Sequence, residues 1–409
     1  MPVEITSEIA PLRAVLVHTP GPELLAVTPT TREDFLYDDI IEVEAARREH
    51  RRFVALLERF ATVHEVRDLL VTAVAVPEAR ELLLRAVRDA SASAPLTREL
   101  EALEPAELVR LLIEGREDPP GPLARFLNDP GYALPPAPNL FFTRDSAMVV
   151  GRHVLIGSMR YDIRWIEELI MKVLFTHHPV LANAGILYDG AAERRMNHTL
   201  EGGDVHPVSH DTVLIGFSER SSPAAIDALC RQFFEHTAIR NVVIVVMPRE
   251  HVAIHLDMLF TQVDRELAVC FPPYFIGAER LPVLVRRKGR DGIEEASDIF
   301  AALRSCGLPL QPVPCGGGRR GMQEREQWSS GCNFVAVRPG VVLSYARNTA
   351  TLEALRGHGF RIVSGLDFLA GEARLVDGER AVLTFDGAEL VRGGGGPRCM
   401  TMPLVRDAA

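Results

Sequence analysis

What this chain has little of narrows its function first. Cysteine is scarce, 6 in 409 residues, and Cys230, Cys270, Cys306, Cys315, Cys332 and Cys399 form no CxxC pair. That excludes a disulfide-built scaffold and a zinc ribbon. No run of about 20 apolar residues occurs, so no membrane-spanning helix is expected. The first twenty residues lack a basic segment leading into a long apolar one, so no secretion signal is read and a cytoplasmic protein with reduced thiols is expected. Positive charge is short as well. Lys plus Arg number 45 against 55 Asp plus Glu, a net charge of −10, which argues against a nucleic-acid partner that needs a basic face. There is no HExxH, EF-hand loop, Walker A sequence or paired Cys/His spacing, so no metal or cofactor is expected. Residues 316–321 formally fit GxGxxG, but no following helix or ribose-binding acid is read, and a nucleotide site is discounted there. The triplet Asn197-His198-Thr199 reads as a chance glycosylation sequon.

What is present is an ordinary globular composition, 47% hydrophobic and 24% charged, long enough for two or three domains or one repeat-built one. Residues 12–18 predict a buried strand and residues 42–61 a helix. The basic cluster at 47–52 inside that helix reads as a solvated face. Residues 75–130 are rich in Leu, Ala, Glu and Arg with helical periods and are broken by prolines at 119–122. They predict a helical subdomain inserted into a domain made of residues 1–74 and 131–409.

From residue 139 a pattern recurs. Asp145, Asp204, Asp257 and Asn333 each lead into a strand, a tight turn and a second strand, and Cys399 leads into a final short strand. Hairpin signals follow the first four, and helices are expected at 163–175, 223–236, 292–304 and 348–356. Units spaced about 50–80 residues apart suggest a ring of hairpin-plus-helix units whose strand starts converge on one axis. Two or three carboxylates and a Cys at one centre make a candidate active site.

Each residue there also has a plain structural role open to it. Cys399 suits a small buried hydrophobe, but the four glycines before it let backbone approach a ligand and close over it, and Arg398 would favour a thiolate. His255 and Asp257 would share one face of a strand, as acid/base and carboxylate or as a plain surface pair. Glu201 and Asp204 flank Gly202-Gly203, as a site or as a turn. Phe142 and Asp145 place a ring beside a carboxylate.

In order, Leu12-Arg-Ala-Val-Leu-Val-His18, Leu36-Tyr-Asp-Asp-Ile40, Pro138-Asn-Leu-Phe-Phe-Thr-Arg-Asp145, Leu200-Glu-Gly-Gly-Asp204, His255-Leu-Asp257 with Phe260-Thr-Gln262, Arg325-Glu-Gln-Trp328 with Asn333, and Gly395-Gly-Pro-Arg-Cys-Met400 resemble the arginine deiminase family. The resemblance implies an α/β fold, the five-bladed α/β-propeller called pentein, with the helical insertion. It implies hydrolysis of L-arginine to L-citrulline and ammonia through a covalent Cys amidino intermediate, without cofactor, in a homo-oligomer. By the same resemblance Cys399 is the nucleophile, His255 the acid/base supported by Glu201, and Asp145 and Asp257 the guanidinium clamp. Asn139, Arg164 and Arg220 match positions that hold the substrate carboxylate, and Phe142 and Gly393 line the pocket.

Three departures stand out against that resemblance. Gly394 stands where many members carry Arg. Trp165-Ile166-Glu167 replaces a charged run, and Cys332 replaces a small residue before Asn333. Another guanidino-modifying hydrolase, an amidinotransferase, or a catalytically silent arginine-binding protein would share most of this set.

Overall fold

The computed structural model describes residues 2–91, 94–118, 121–127, 131–193 and 198–408. Asn197 of the chance sequon and Pro119-Pro120 of the proline-rich break lie outside them.

Five sheets of three to five strands share one plan. Each opens with an antiparallel pair, passes through a helix, and returns with a strand parallel to the second of the pair. In the first, Ala147–Val150 pairs with His153–Ile156, the helix Trp165–His177 follows, and Ile186–Asp189 returns in parallel. The second runs Val205–Ser209, Thr212–Phe217, helix Pro223–His236 and Asn241–Val246. The third runs Phe260–Asp264, Leu267–Cys270, helix Ile299–Ser305 and Gln311–Pro314. The fourth runs Val335–Arg338, Val341–Tyr345 and helix Thr349–Gly357, then Phe360–Ser364 and Arg380–Phe385. The fifth joins distant parts of the chain. Met402–Arg406 pairs antiparallel with Leu12–Val17, and Thr62–Glu65 returns in parallel after the helix Val43–Leu57.

The sequence explains the plan. A parallel return needs a crossover, and a helix of two or more turns supplies it. Strands such as Ala147–Val150 and Leu267–Cys270 are buried at every position, because helices or neighbouring sheets cover both faces. They therefore read as continuous apolar runs. The helices Val66–Val74, Pro77–Ser91 and Pro105–Glu114 contribute to one apolar cluster with Leu16, Val154, Ile156 and the helix Trp165–His177.

Three expectations are corrected. Residues 293–296 are a strand, paired with Val283–Arg287 at the edge of the second sheet, and the helix starts only at Ile299 because Asp298 caps it through Ala301 N at 2.8 Å. A helix, Arg320–Trp328, does follow Gly316-Gly317-Gly318 and takes in Gly321. Gly316 has φ +69° and a Cβ there would sit 2.3 Å from Gln323 Cα, so this loop is glycine-rich to press against that helix. In the basic cluster only the arginines face outward. Glu49 and His50 are buried, and Glu49 accepts the backbone N–H groups of Ala388, Glu389 and Leu390 at 3.0–3.1 Å.

Candidate active site

The five lead residues come together at the starts of the hairpins. Asp145, Asp204, Asp257, Asn333 and Cys399 are all buried, none more than 4% exposed. Asp145 sits in a single helical turn, Thr143–Ser146, whose Arg144 N–H donates to Cys399 O at 3.1 Å. His255 and Asp257 are not on a strand as expected. They flank the start of a 3-10 turn, Leu256–Met258, and the strand begins later at Phe260. Asp204 fixes that turn: its Oδ1 accepts Leu256 N at 2.9 Å, while Ser218 and Ser221 hydroxyls donate to Oδ2 at 2.6 Å. Burial raises the Asp204 carboxyl to about 6 against those donors.

Cys399 Sγ faces three polar atoms from two side chains. Asn333 Nδ2 is 3.1 Å away, and the Asp257 carboxylate oxygens are 3.6 and 3.8 Å away. Asn333 also ties the loop down, since its Oδ1 accepts the N–H groups of Arg398 at 2.8 Å and Cys399 at 3.3 Å. Arg398 favours the thiolate, as expected, but it is outweighed. Burial, Asp257 and Asp145 push the thiol well up, and Arg398 only partly opposes them, because its Nη1 is already bound to Asp257 Oδ2 at 2.8 Å.

His255 stands between two carboxylates. Its Nε2 donates to Glu201 Oε2 at 2.8 Å and its Nδ1 lies 3.7 Å from Asp145 Oδ1. Burial alone would lower it, but Asp145 and Glu201 prevail and raise it to about 9, so it is an imidazolium at neutral pH. Glu201 is held well below the usual carboxylate range against its own burial by Arg220, His255 and Arg164. Asp145 Oδ2 accepts from Arg164 Nη1 at 2.9 Å, while its buried Oδ1 has no hydrogen-bond partner.

The other expected residues line the same space. Asn139, Phe142, Arg164, Arg220 and Gly393 border a cavity of about 30 Å³ together with Asp145, His255 and Cys399. Arg164 is gripped by Glu167 at 2.7–3.1 Å, so the unusual Trp165-Ile166-Glu167 run supplies its partner. Arg220 stacks over Tyr161 at 4.8 Å and reaches Glu201 at 3.3 Å. Asn139 Nδ2 donates to Phe35 O at 2.9 Å. Glu201 and Asp257 do not line this small cavity; Glu201 bonds His255 and Asp257 lies beside Cys399 Sγ.

Leu36, Ile254, Met258, Gly393, Gly394 and Arg220 separate this cavity from an outer one of about 310 Å³. Leu36 holds φ +66°, a strained value for a branched residue. Its loop is fastened by Asp38 to His251 at 2.7 Å and by Asp39 to Arg392. Gly394 has φ +80° and open space at its Cβ. Leu36, Met258, Asn333 and Glu8, which bonds Arg398, were not singled out as site residues from the sequence. Asn333 had a signal, its place among the lead residues, whereas Glu8 had none.

Asp145, Glu201 and His255 could offer a metal three ligand atoms within 4.8 Å of one another. Arg164 and Arg220 already counter both carboxylates, and His255 is itself a cation, so a dication would meet three positive charges. No helix among the described residues is long and apolar enough to cross a membrane.

The fold is shared with two solved structures. A TM-score of 0.52 at 13% identity relates this chain to the N-terminal domain of ArgZ covalently bound to a reaction intermediate, covering 96% of this chain and 98% of that one. A TM-score of 0.56 at 12% identity relates it to SxtG, an amidinotransferase from Microseira wollei, over 100% and 98%. Both share its mixed α/β architecture. Sequence discriminates further. A protein named arginine deiminase from Rhodococcus erythropolis strain PR4 is 32% identical over 427 residues, covering 100% of this chain and 98% of its own. Another of that name from Mycolicibacterium gilvum is 33% identical over 422 residues, covering 99% and 98%. The family model described as arginine deiminase matches residues 33–406, so the chain belongs to the arginine deiminase family.

Proposed function

We propose that this chain hydrolyses L-arginine to L-citrulline and ammonia, with Cys399 as nucleophile. The observation that carries the reading is the pair of carboxylates beside one buried thiol: Asp257 next to Sγ, and Asp145 with a buried Oδ1 that lacks a donor. Buried acceptors are normally satisfied. A planar, permanently charged guanidinium would supply N–H groups to both carboxylates and present its carbon to sulfur.

A guanidinium between Asp145 and Asp257 would cancel the two charges that add to burial in holding the Cys399 thiol up, and the thiol would lose its proton to water. Sulfur attacks the central carbon. The tetrahedral adduct breaks a C–N bond, and His255, held protonated by Glu201 and Asp145, gives its proton to the leaving ammonia. Neutral His255 then takes a proton from a water attacking the same carbon. The C–S bond breaks as the new hydroxyl gives its proton to the released ammonia or to water, citrulline leaves and the thiolate is restored. No step requires a cofactor. Arg164, Arg220 and Asn139 would orient the substrate α-carboxylate, with Phe142 and Gly393 as walls. A cavity of about 30 Å³ holds one or two waters rather than an amino acid, so the Leu36 loop and residues 393–395 would part to admit substrate.

The reading includes five hairpin sheets closed as the blades of one propeller, residues 75–130 as an inserted helical unit, a cytoplasmic protein, and a homo-oligomer. The test is product analysis: purified protein with L-arginine should yield equal citrulline and ammonia. Cys399→Ala should lower the rate by at least about 10⁴-fold. Folded wild-type protein that leaves arginine untouched would sink the reading and move attention to other guanidines.

A further inference from the structure

We infer that Glu8 is a positioning residue: by neutralising the buried guanidinium of Arg398, it leaves Asp257 the negative charge to hold a cationic substrate beside Cys399. The inference rests on the reading of Asp257 and Cys399 just given. Arg398 is 0% exposed and every one of its N–H groups has a partner. Nη1 donates to Asp257 Oδ2 at 2.8 Å and to Gly203 O at 3.5 Å. Nη2 donates to Glu8 Oε1 at 3.0 Å and to Val205 O at 2.9 Å, and Nε to Glu8 Oε2 at 3.3 Å. Glu8 thus grips the side of the guanidinium away from Asp257 with both oxygens. It also faces Arg144 Nη1 at 3.4 Å.

The charge balance gives this grip its consequence. Arg398 and Arg144 are buried cations within reach of Asp257 and Cys399, and Arg406 is a third nearby. Without Glu8, Asp257 would be the one carboxylate bonded to Arg398. A substrate guanidinium would then approach a carboxylate whose charge Arg398 offsets, with no second carboxylate to balance that cation. Nearby positive charge repels a cationic ligand and spares a neutral one. It also favours a thiolate. Loss of Glu8 should therefore weaken arginine and activate Cys399 at the same time, a combination that loosened packing would not produce.

Two measurements on Glu8→Gln test this. In a Cys399→Ala background, calorimetry compares arginine with the neutral product citrulline. Arginine should bind about tenfold more weakly, while citrulline stays within about threefold. With Cys399 intact and no substrate, neutral iodoacetamide should alkylate Cys399 several-fold faster, read by mass spectrometry. Any other combination overturns the role, including equal losses for both ligands with slower alkylation. If the unmutated site neither binds nor turns over arginine, the substrate reading has failed, and the alkylation rate alone decides on Glu8. Should Glu8→Gln not fold, Glu8→Asp keeps the charge. Its arginine-to-citrulline affinity ratio and its alkylation rate should stay within about threefold of the parent's, and a collapsed ratio overturns the proposal.

Discussion

Two buried histidines in this chain have matching electrical surroundings and different neighbours. His255 lies between Glu201 at 2.8 Å and Asp145 at 3.7 Å; His18 lies between Glu65 at 3.0 Å and Glu23 at 3.2 Å. Each is raised to about 9 by its carboxylates in spite of burial. His255 borders a cavity that also holds Cys399. Around His18 both carboxylates also accept backbone, Glu65 from Thr19 N–H and Glu23 Oε1 from Gly21 N–H at 2.7–3.1 Å, and neither they nor His18 border the cavity that holds Cys399. A displaced titration therefore does not mark a reacting group. Access to a nucleophile and to a space for substrate does.

The comparison can be broken by exchange. His255→Gln should lower kcat by about 10³-fold, because proton delivery to the leaving ammonia is lost. His18→Gln should leave kcat unchanged in the same citrulline assay. A His18 variant that loses activity while remaining folded would erase the distinction. The second contrast is stability. His18→Gln strips a buried charge from two carboxylates and should cost about 3 kcal/mol in denaturant unfolding.

The pH dependence sharpens the same contrast. Both histidines have folded values near 9 and unfolded values near 6.5. Their stabilisation is fully present below pH 6.5 and is lost as pH rises through about 9. Tm should fall over that window, and roughly half as steeply in His18→Gln. Turnover should also fall above pH 9, when His255 gives up the proton it delivers, and this limb should be the same in His18→Gln. The smallest effect is at the cavity wall. Gly394→Ala meets no atom but must hold φ +80°, so it should cost about 1 kcal/mol and change kcat/KM by less than about threefold.

These contrasts were unevenly legible in the sequence. The lead residues were readable because local turn chemistry marks each hairpin, so Asp145, Asp257 and Cys399 fell at strand starts before any contact was known. The 3-10 turn under His255 was not readable, since Asp204, far away in the chain, pins it through Leu256 N. Residues 293–296 carry two glutamates and suggest helix, yet pairing with Val283–Arg287 decides for strand. Arg398 was legible only in part, because adjacency to Cys399 says nothing of where its guanidinium goes. That is set by Glu8, and no local pattern marks Glu8.

The fifth sheet carries a consequence for folding order. Glu8 and Arg398 meet across a separation of 390 residues, and Leu12–Val17 pairs with Met402–Arg406. Contacts of such high order close late, because loop entropy must be met before they reward it. A chain with its first three sheets formed already holds Asp145, Glu201, His255 and Asp257, but no sulfur among them. Reactivity is thus the last property this fold acquires and the first it loses when that sheet opens, so an activity assay should register fraying of the fifth sheet before circular dichroism does.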